Sequence, residues 1–163
     1  TMRYRTGTEY VEVTGTELVT NGDFATDTAW SKGANTTISG GSLNSTAAGV
    51  YVIANQANVA TQNKYYKWEV TYTITAGEVR FGFSNAVIAG SSQTSSGTYT
   101  GVQQAAVGLD GLIYFTSPDS DFVGSIDNVS VIEVTAETAS YADMCMQTGS
   151  STYEWVNIVR NTY

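Results

Sequence analysis

The sequence holds no histidine, one cysteine (Cys145) and one proline (Pro118) in 163 residues. Without histidine the usual general base and the commonest metal ligand are missing. A single cysteine permits no internal disulfide. It lies between Met144 and Met146 in an alternating stretch, which reads as core or interface. No apolar run approaches the roughly 20 residues of a membrane-spanning helix. No signal-peptide pattern is read at the start, and the opening Thr1 in place of Met leads to the expectation of a processed product or a fragment. Charge is also scarce and one-sided. Lysine and arginine number 7 against 15 carboxylates, a net charge of −8. No basic patch is available to neutralise phosphates, so no nucleic-acid partner is expected.

Aromatic residues make up 12% of the chain, with 11 tyrosines, and hydrophobic residues 42%. A disordered chain would lack the aromatics. The remainder is rich in Thr, Ser, Gly and Asn, the profile of an all-β protein with polar, uncharged outer faces. The clearest signal is Lys64 to Thr75, KYYKWEVTYTIT. Tyr66, Trp68, Val70, Tyr72 and Ile74 alternate with Tyr65, Lys67, Glu69, Thr71 and Thr73, so one set faces a core and the other does not. Further strands are expected at 36–39 and 42–45 joined by Gly40-Gly41, at 50–54, 79–83, 99–107 and 112–116, and from Phe122 to Val134. Gly90 to Gly97 reads as a surface loop. Short strands with glycine-rich turns and no helical period predict a sandwich or barrel.

The organising stretches are Glu17 to Trp30, ELVTNGDFATDTAW, and Gly124 to Val134, GSIDNVSVIEV. Asn21-Gly22 is a strong turn dipeptide. The first and last strands of the sandwich are expected to meet, each with an acidic residue, Asp23 or Asp127, at its edge. Met2 to Val13 reads as a hairpin turning at Thr6-Gly7-Thr8. Met144 to Ile158 reads as a second hairpin with a Thr-Gly turn. Thr135 to Tyr141 between them reads as a linker or one helical turn. The expected organisation is an N-terminal anchor hairpin over 1–15, a sandwich over 16–134, and a linker and C-terminal hairpin over 135–163.

Glu17 to Val134 resembles the carbohydrate-binding-module-like jelly rolls of the 4/9 type. The likeness rests on ELVTNGDF followed by Trp30, on KYYKWEVTYTIT and on GSIDNVSVIEV. Modules of this kind accompany glycoside hydrolases and also occur in bacteriophage virion proteins. The opening MRYRTGTEYVEVTG and closing DMCMQTGSSTYEWVNIV resemble short hairpins of phage tail and head fibres. Together these likenesses imply a jelly-roll β-sandwich with N- and C-terminal β-hairpins in a non-catalytic virion protein. It would be of fibre or capsid-decoration type, on the surface of an extracellular particle, and would adhere to host glycan. The other reading is a carbohydrate-binding module of a secreted glycan-active protein.

The resemblance also implies sites. Opening and closing strands of that family often share a structural calcium, which assigns Asp23 and Asp127, with carbonyls near Asn21, as ligands; no other cofactor is implied. From the residues alone, both aspartates could equally accept turn N–H groups. A glycan platform needs an aromatic with polar neighbours. Tyr51, Tyr65, Lys67, Glu69, Arg80 and Gln103, with Gln104 nearby, are the candidates, against a solvated or partner-covered face. Met2, Tyr4, Met144, Met146, Tyr153 and Trp155 are expected at an interface with other virion subunits in a homo-oligomer, a trimer for a fibre, since short apolar hairpins cannot bury themselves. A glycosidase pair would have to come from Glu69, Glu78, Asp110, Asp119 and Asp121. Nothing in their spacing joins two of them.

Overall fold

The structure is a computed structural model that describes residues 2–46, 51–83, 91–105 and 111–162. Every regular element among them is a β-strand. In order these are β1 (Met2–Glu17), β2 (Ser31–Lys32), β3 (Thr36–Ser39), β4 (Ser42–Thr46), β5 (Val52–Gln56), β6 (Tyr65–Ala76), β7 (Arg80–Phe83), β8 (Gly97–Gln104), β9 (Ile113–Thr116), β10 (Val123–Gln147) and β11 (Tyr153–Thr162). The chain divides into two compact units. One is Val13–Val134, the other Thr1–Glu12 with Thr135–Tyr163.

Val13–Val134 is a β-sandwich. One sheet runs β3-β4-β10-β6-β8, the other β2-β5-β9-β7. From β4 to β10 each successive strand belongs to the opposite sheet, and the neighbours in each sheet are those of a jelly roll. Gln93 forms a bridge to Val79 beside β7. The alternation in β6 is as the sequence predicts: Tyr66, Trp68, Val70 and Tyr72 are buried, while Lys67 and Glu69 face outward. Ile74 is only partly buried, packed at the margin of the core. The centre is aromatic. Trp68 and Phe81 lie 5.4 Å apart, Phe81 and Phe115 5.4 Å, Trp30 and Phe115 5.7 Å, and Phe24 and Trp30 5.2 Å. Each such ring, fully buried, contributes roughly 1.5–3 kcal/mol. Burial pushes the Tyr72 hydroxyl far above its ordinary value, with Tyr99 adding to the effect, so it remains protonated.

Turn chemistry fixes the register. Gly40 and Gly41 have φ of +64° and +74° and join Ser39 to Ser42, the two-residue loop expected from their sequence. Leu18 N–H donates to Val131 O at 3.0 Å and Val129 N–H to Gly22 O at 2.9 Å, so the opening and closing stretches meet. β5 and β8 are shifted or shortened against expectation. Val50 and Val107 lie outside the described residues.

Two local readings are corrected. Met2 to Val13 is no hairpin; it lies within the single strand β1. Gly7 keeps an extended conformation between two β-branched threonines, whereas the left-handed glycine is Gly15, φ +66°. The hydrogen-bonding partner is β10, far along the chain, so the strand has no need to fold back on itself. Thr135 to Tyr141 is neither linker nor helical turn but part of β10. Its Ala139 to Tyr141 segment pairs with β11.

Candidate functional site

In the ribbon unit, β10 pairs with both β1 and β11. β10 and β11 are antiparallel, with Met144 opposite Val156, Cys145 opposite Trp155 and Met146 opposite Glu154. Thr148 N–H donates to Thr152 O at 2.9 Å and closes the turn. A bulge between Ala142 and Asp143 shifts the register by one residue and sets Tyr141 and Asp143 beside Arg160 and Asn157.

The two faces of this ribbon differ in chemistry. On one, the Asp143 side chain is 3% exposed. Its Oδ1 accepts from Asn157 at 3.0 Å, and its Oδ2 accepts from Arg5 at 3.0 Å and Arg3 at 2.9 Å. Those bonds, Asn157 and Arg5 foremost, outweigh burial and hold its carboxyl down to about 2. The Arg3 guanidinium stacks 4.4 Å from the Trp155 ring and that of Arg5 4.1 Å from Tyr141. Glu9 accepts from the Tyr141 hydroxyl and pairs with Arg160. Since Arg3, Arg5, Asp143 and Trp155 share this face, strand alternation places Met2, Tyr4, Met144, Met146 and Val156 on the other, and Val159 joins them through its pairing with Ala142 across the bulge. These six are 36% to 77% exposed. The expected interface residues are thereby divided. Met2, Tyr4, Met144 and Met146 lie on the apolar face, while Trp155 lies on the ionic one and Tyr153, opposite Gln147, follows it by alternation.

In the sandwich unit, a shallow groove of about 340 Å³ is lined by Glu17, Val19, Asn21, Asp23, Glu69 and Ser130 among others. The link between opening and closing strands here is Glu17, not an aspartate pair. Its Oε1 accepts from Val19 N–H at 2.8 Å and Val131 N–H at 2.9 Å. Asp23 accepts from Ala25 N–H at 3.3 Å, and Asp127 from Asn128 N–H at 2.7 Å. Both act as local turn acceptors. Asn21 O, the carbonyl that would serve a calcium ion, accepts from Phe24 N–H at 3.2 Å and Trp30 Nε1 at 3.1 Å. Calcium takes six to eight oxygens. Among the described residues no three acidic, histidine or cysteine side chains gather to hold a metal, and this donor set does not fit the ion.

The expected glycan platform is not assembled as one surface. Tyr65, Lys67 and Glu69 share the outward face of the β3-β4-β10-β6-β8 sheet, opposite Gln104, Val102 and Thr100 of β8. Gln103 pairs with the buried Tyr66 and so belongs to the inner side. Arg80 is in the other sheet, on β7, where it pairs with Glu78 at 3.4 Å and donates to Ser92. β6 and β7 are consecutive in sequence, but the connection crosses the sandwich. Tyr51, 45% exposed, leads into β5 of that second sheet. Of the scattered carboxylates, Glu78 and Asp121 have structural partners, Glu78 in its pair with Arg80. Asp121 Oδ1 accepts from Glu78 N–H at 3.2 Å and Ser117 Oγ at 3.3 Å, beside Gly77. Asp110 lies outside the described residues.

The residues that sequence reading missed are Glu17, Glu9, Asp143 and Asn157. A period of two puts Arg3 and Arg5 on a common face of any strand, but nothing local indicates the aspartate between them.

No family model matches the sequence, and no curated protein does. Among solved structures the chain is similar to the CBM1 module of BiXyn10A in its apo form. Identity is 18%, over 78% of this chain and 96% of that one, with a TM-score of 0.45.

Proposed function

We propose that the chain is a non-catalytic structural subunit. Its ribbon unit docks into a larger assembly and its jelly roll is displayed, in the manner of a phage fibre or capsid-decoration protein. The observation that carries this reading is where the exposed apolar side chains lie. Among the described residues, eleven of the fourteen large exposed hydrophobic side chains belong to the ribbon unit and three to the sandwich. A three-stranded ribbon that leaves methionine, tyrosine, tryptophan and valine in water is a surface made to be covered. The phage setting rests on the likeness of the closing segment to fibre-type hairpins, the one of the two that keeps a hairpin form. Mass spectrometry of gradient-purified virus particles from cultures making the protein tests it. The chain is expected in fixed ratio to the shell or tail proteins. Its confinement to the soluble fraction overturns the reading.

A second reading, glycan recognition, is favoured by the outward row of Tyr65, Lys67 and Glu69 beside Gln104. Such a row offers one aromatic ring among hydrogen-bonding groups. Adhesion and display are compatible in one particle.

A further inference from the structure

We infer that the Met144–Val156 face of the ribbon is closed by the same face of a second copy of this chain, while the Arg3–Asp143 face stays outside that contact. The inference rests on the docking role proposed above and names the partner and the face.

The ion-paired face has its polar groups matched internally. Asp143 is satisfied by three donors, and both arginines are stacked on rings of their own ribbon. Covering it would desolvate charges already paired and gain little. The other face is the reverse. Its middle band consists of Tyr4, Met144, Met146, Val156 and Val159, with Ala142 opposite Val159. Alternation places two carboxylates on it, Glu12 and Glu154, far from each other along the ribbon, and no cation. Glu154 lies opposite Met146 at the turn end of the face; between it and Glu12 a partner read by charge would find nothing to pair with. A second copy needs no charge match. It sets apolar side chains against apolar side chains and meets no like charge in the middle, which suits an isologous contact. Methionine side chains adapt their shape, so an identical face can interdigitate without a preformed pocket.

The area suffices for such a contact. Three strands at about 4.8 Å spacing and roughly nine residues long give a face of about 14 by 30 Å. With side-chain relief, two such faces would bury on the order of 1,200 Å², the lower end of stable interfaces. Cys145 sits on the ionic side, opposite Trp155, and takes no part.

The test is sedimentation equilibrium of the full chain from 1 to 100 µM, with two variants. The wild-type chain is expected to reach twice 17.4 kDa. The double variant Met144→Lys, Val156→Lys is expected to fall to a single chain with its β circular dichroism retained. Tyr153→Lys, on the ionic side, is expected to leave the assembly intact. Should the double variant fail to fold, peroxide footprinting of the wild-type chain replaces it. Met144 and Met146 should then oxidise several-fold more slowly at 100 µM than at 1 µM. A wild-type chain that stays single at 100 µM, or methionines oxidised equally at both concentrations, overturns the inference. So does dissociation by Tyr153→Lys alone. A single chain that nevertheless co-purifies with particles overturns this inference while leaving the docking role standing, and identifies the occupant as another protein.

Discussion

Glu17 and Val131, 114 positions apart, are joined by a 2.9 Å hydrogen bond from the Val131 N–H to the Glu17 carboxylate. The same oxygen accepts from Val19 at 2.8 Å. One side chain therefore ties the entering strand to the leaving one, next to the Leu18–Val131 backbone bond. Removing it leaves two N–H groups to water at a half-open site. Glu17→Ala is expected to cost about 1–2 kcal/mol, the range for bonds to a charged acceptor with partial solvation. Glu17→Gln keeps an acceptor oxygen and should lose less than half of that. Thermal unfolding checks both, with a midpoint drop of roughly 2–4 °C per kcal/mol for a chain of this size. Equal midpoints for Glu17→Ala and wild type would remove the latch from the account.

The Asn21-Gly22 turn makes the second prediction. A Cβ on Gly22 would fall 2.1 Å from the Val129 carbonyl oxygen, which is backbone and cannot swing aside. A Cβ on Gly40 would meet nothing within 4 Å, but that residue has φ +64°. Gly40→Ala therefore isolates conformational strain, about 1–2 kcal/mol. Gly22→Ala adds a steric clash that separates the closing strand from the opening one, and overpacking of this kind costs roughly 1–3 kcal/mol or more. Urea unfolding should rank Gly22→Ala as the more damaging of the two. The reverse order would mean that the Gly22–Val129 approach relaxes freely.

These contacts also mark how much the sequence discloses. The period of two in residues 64–75 and the Gly40-Gly41 pair are local signals, and both elements form where they indicate. The meeting of Leu18 with Val131 was legible because both stretches are apolar, β-branched and edged by turn residues. Thr6-Gly7-Thr8 misled because a turn and a straight strand share that composition, and the choice is made by a partner strand over a hundred residues away. The crossing from β6 to β7 is equally silent: Ala76-Gly77-Glu78 has the composition of a turn, and a turn serves a hairpin or a passage to the other sheet alike. Asp143 gave no signal at all. Its arginine partners are 140 and 138 positions distant, and no spacing rule reaches that far.

Asp143 predicts an acid response. Its carboxyl is lowered from an ordinary 3.8 to about 2 by Asn157, Arg5 and Arg3. A carboxyl lowered on folding stabilises the folded chain fully above its unfolded value and loses that contribution as pH falls toward the folded one. The ribbon should thus be unaffected from pH 7 to about 5 and weaken between about pH 4 and pH 2. Asp143→Asn should be less stable at neutral pH and show a flatter profile across that window. Urea midpoints at half-unit pH steps check this. Parallel profiles for the two chains would show that the acid response comes from other carboxylates.

The two outward faces of the sandwich can be told apart by substitution. Tyr65 and Lys67 stand on β6 beside β8, whereas Arg80 belongs to the opposite sheet and is engaged by Glu78 and Ser92. A sugar ring spans only a few ångströms, so one bound glycan cannot touch both faces through the buried aromatic layer. If the β6 row recognises glycan, Tyr65→Ala should lower array binding about five- to thirtyfold, since loss of a stacked ring with its hydrogen bonds removes on the order of 1–2 kcal/mol. Lys67→Ala should weaken the same ligands, and Arg80→Ala should leave their binding unchanged. Loss of binding in Arg80→Ala with Tyr65→Ala intact would move the site to the β2-β5-β9-β7 sheet, where Tyr51 also lies. Silence of the wild-type chain across the array would leave display without adhesion.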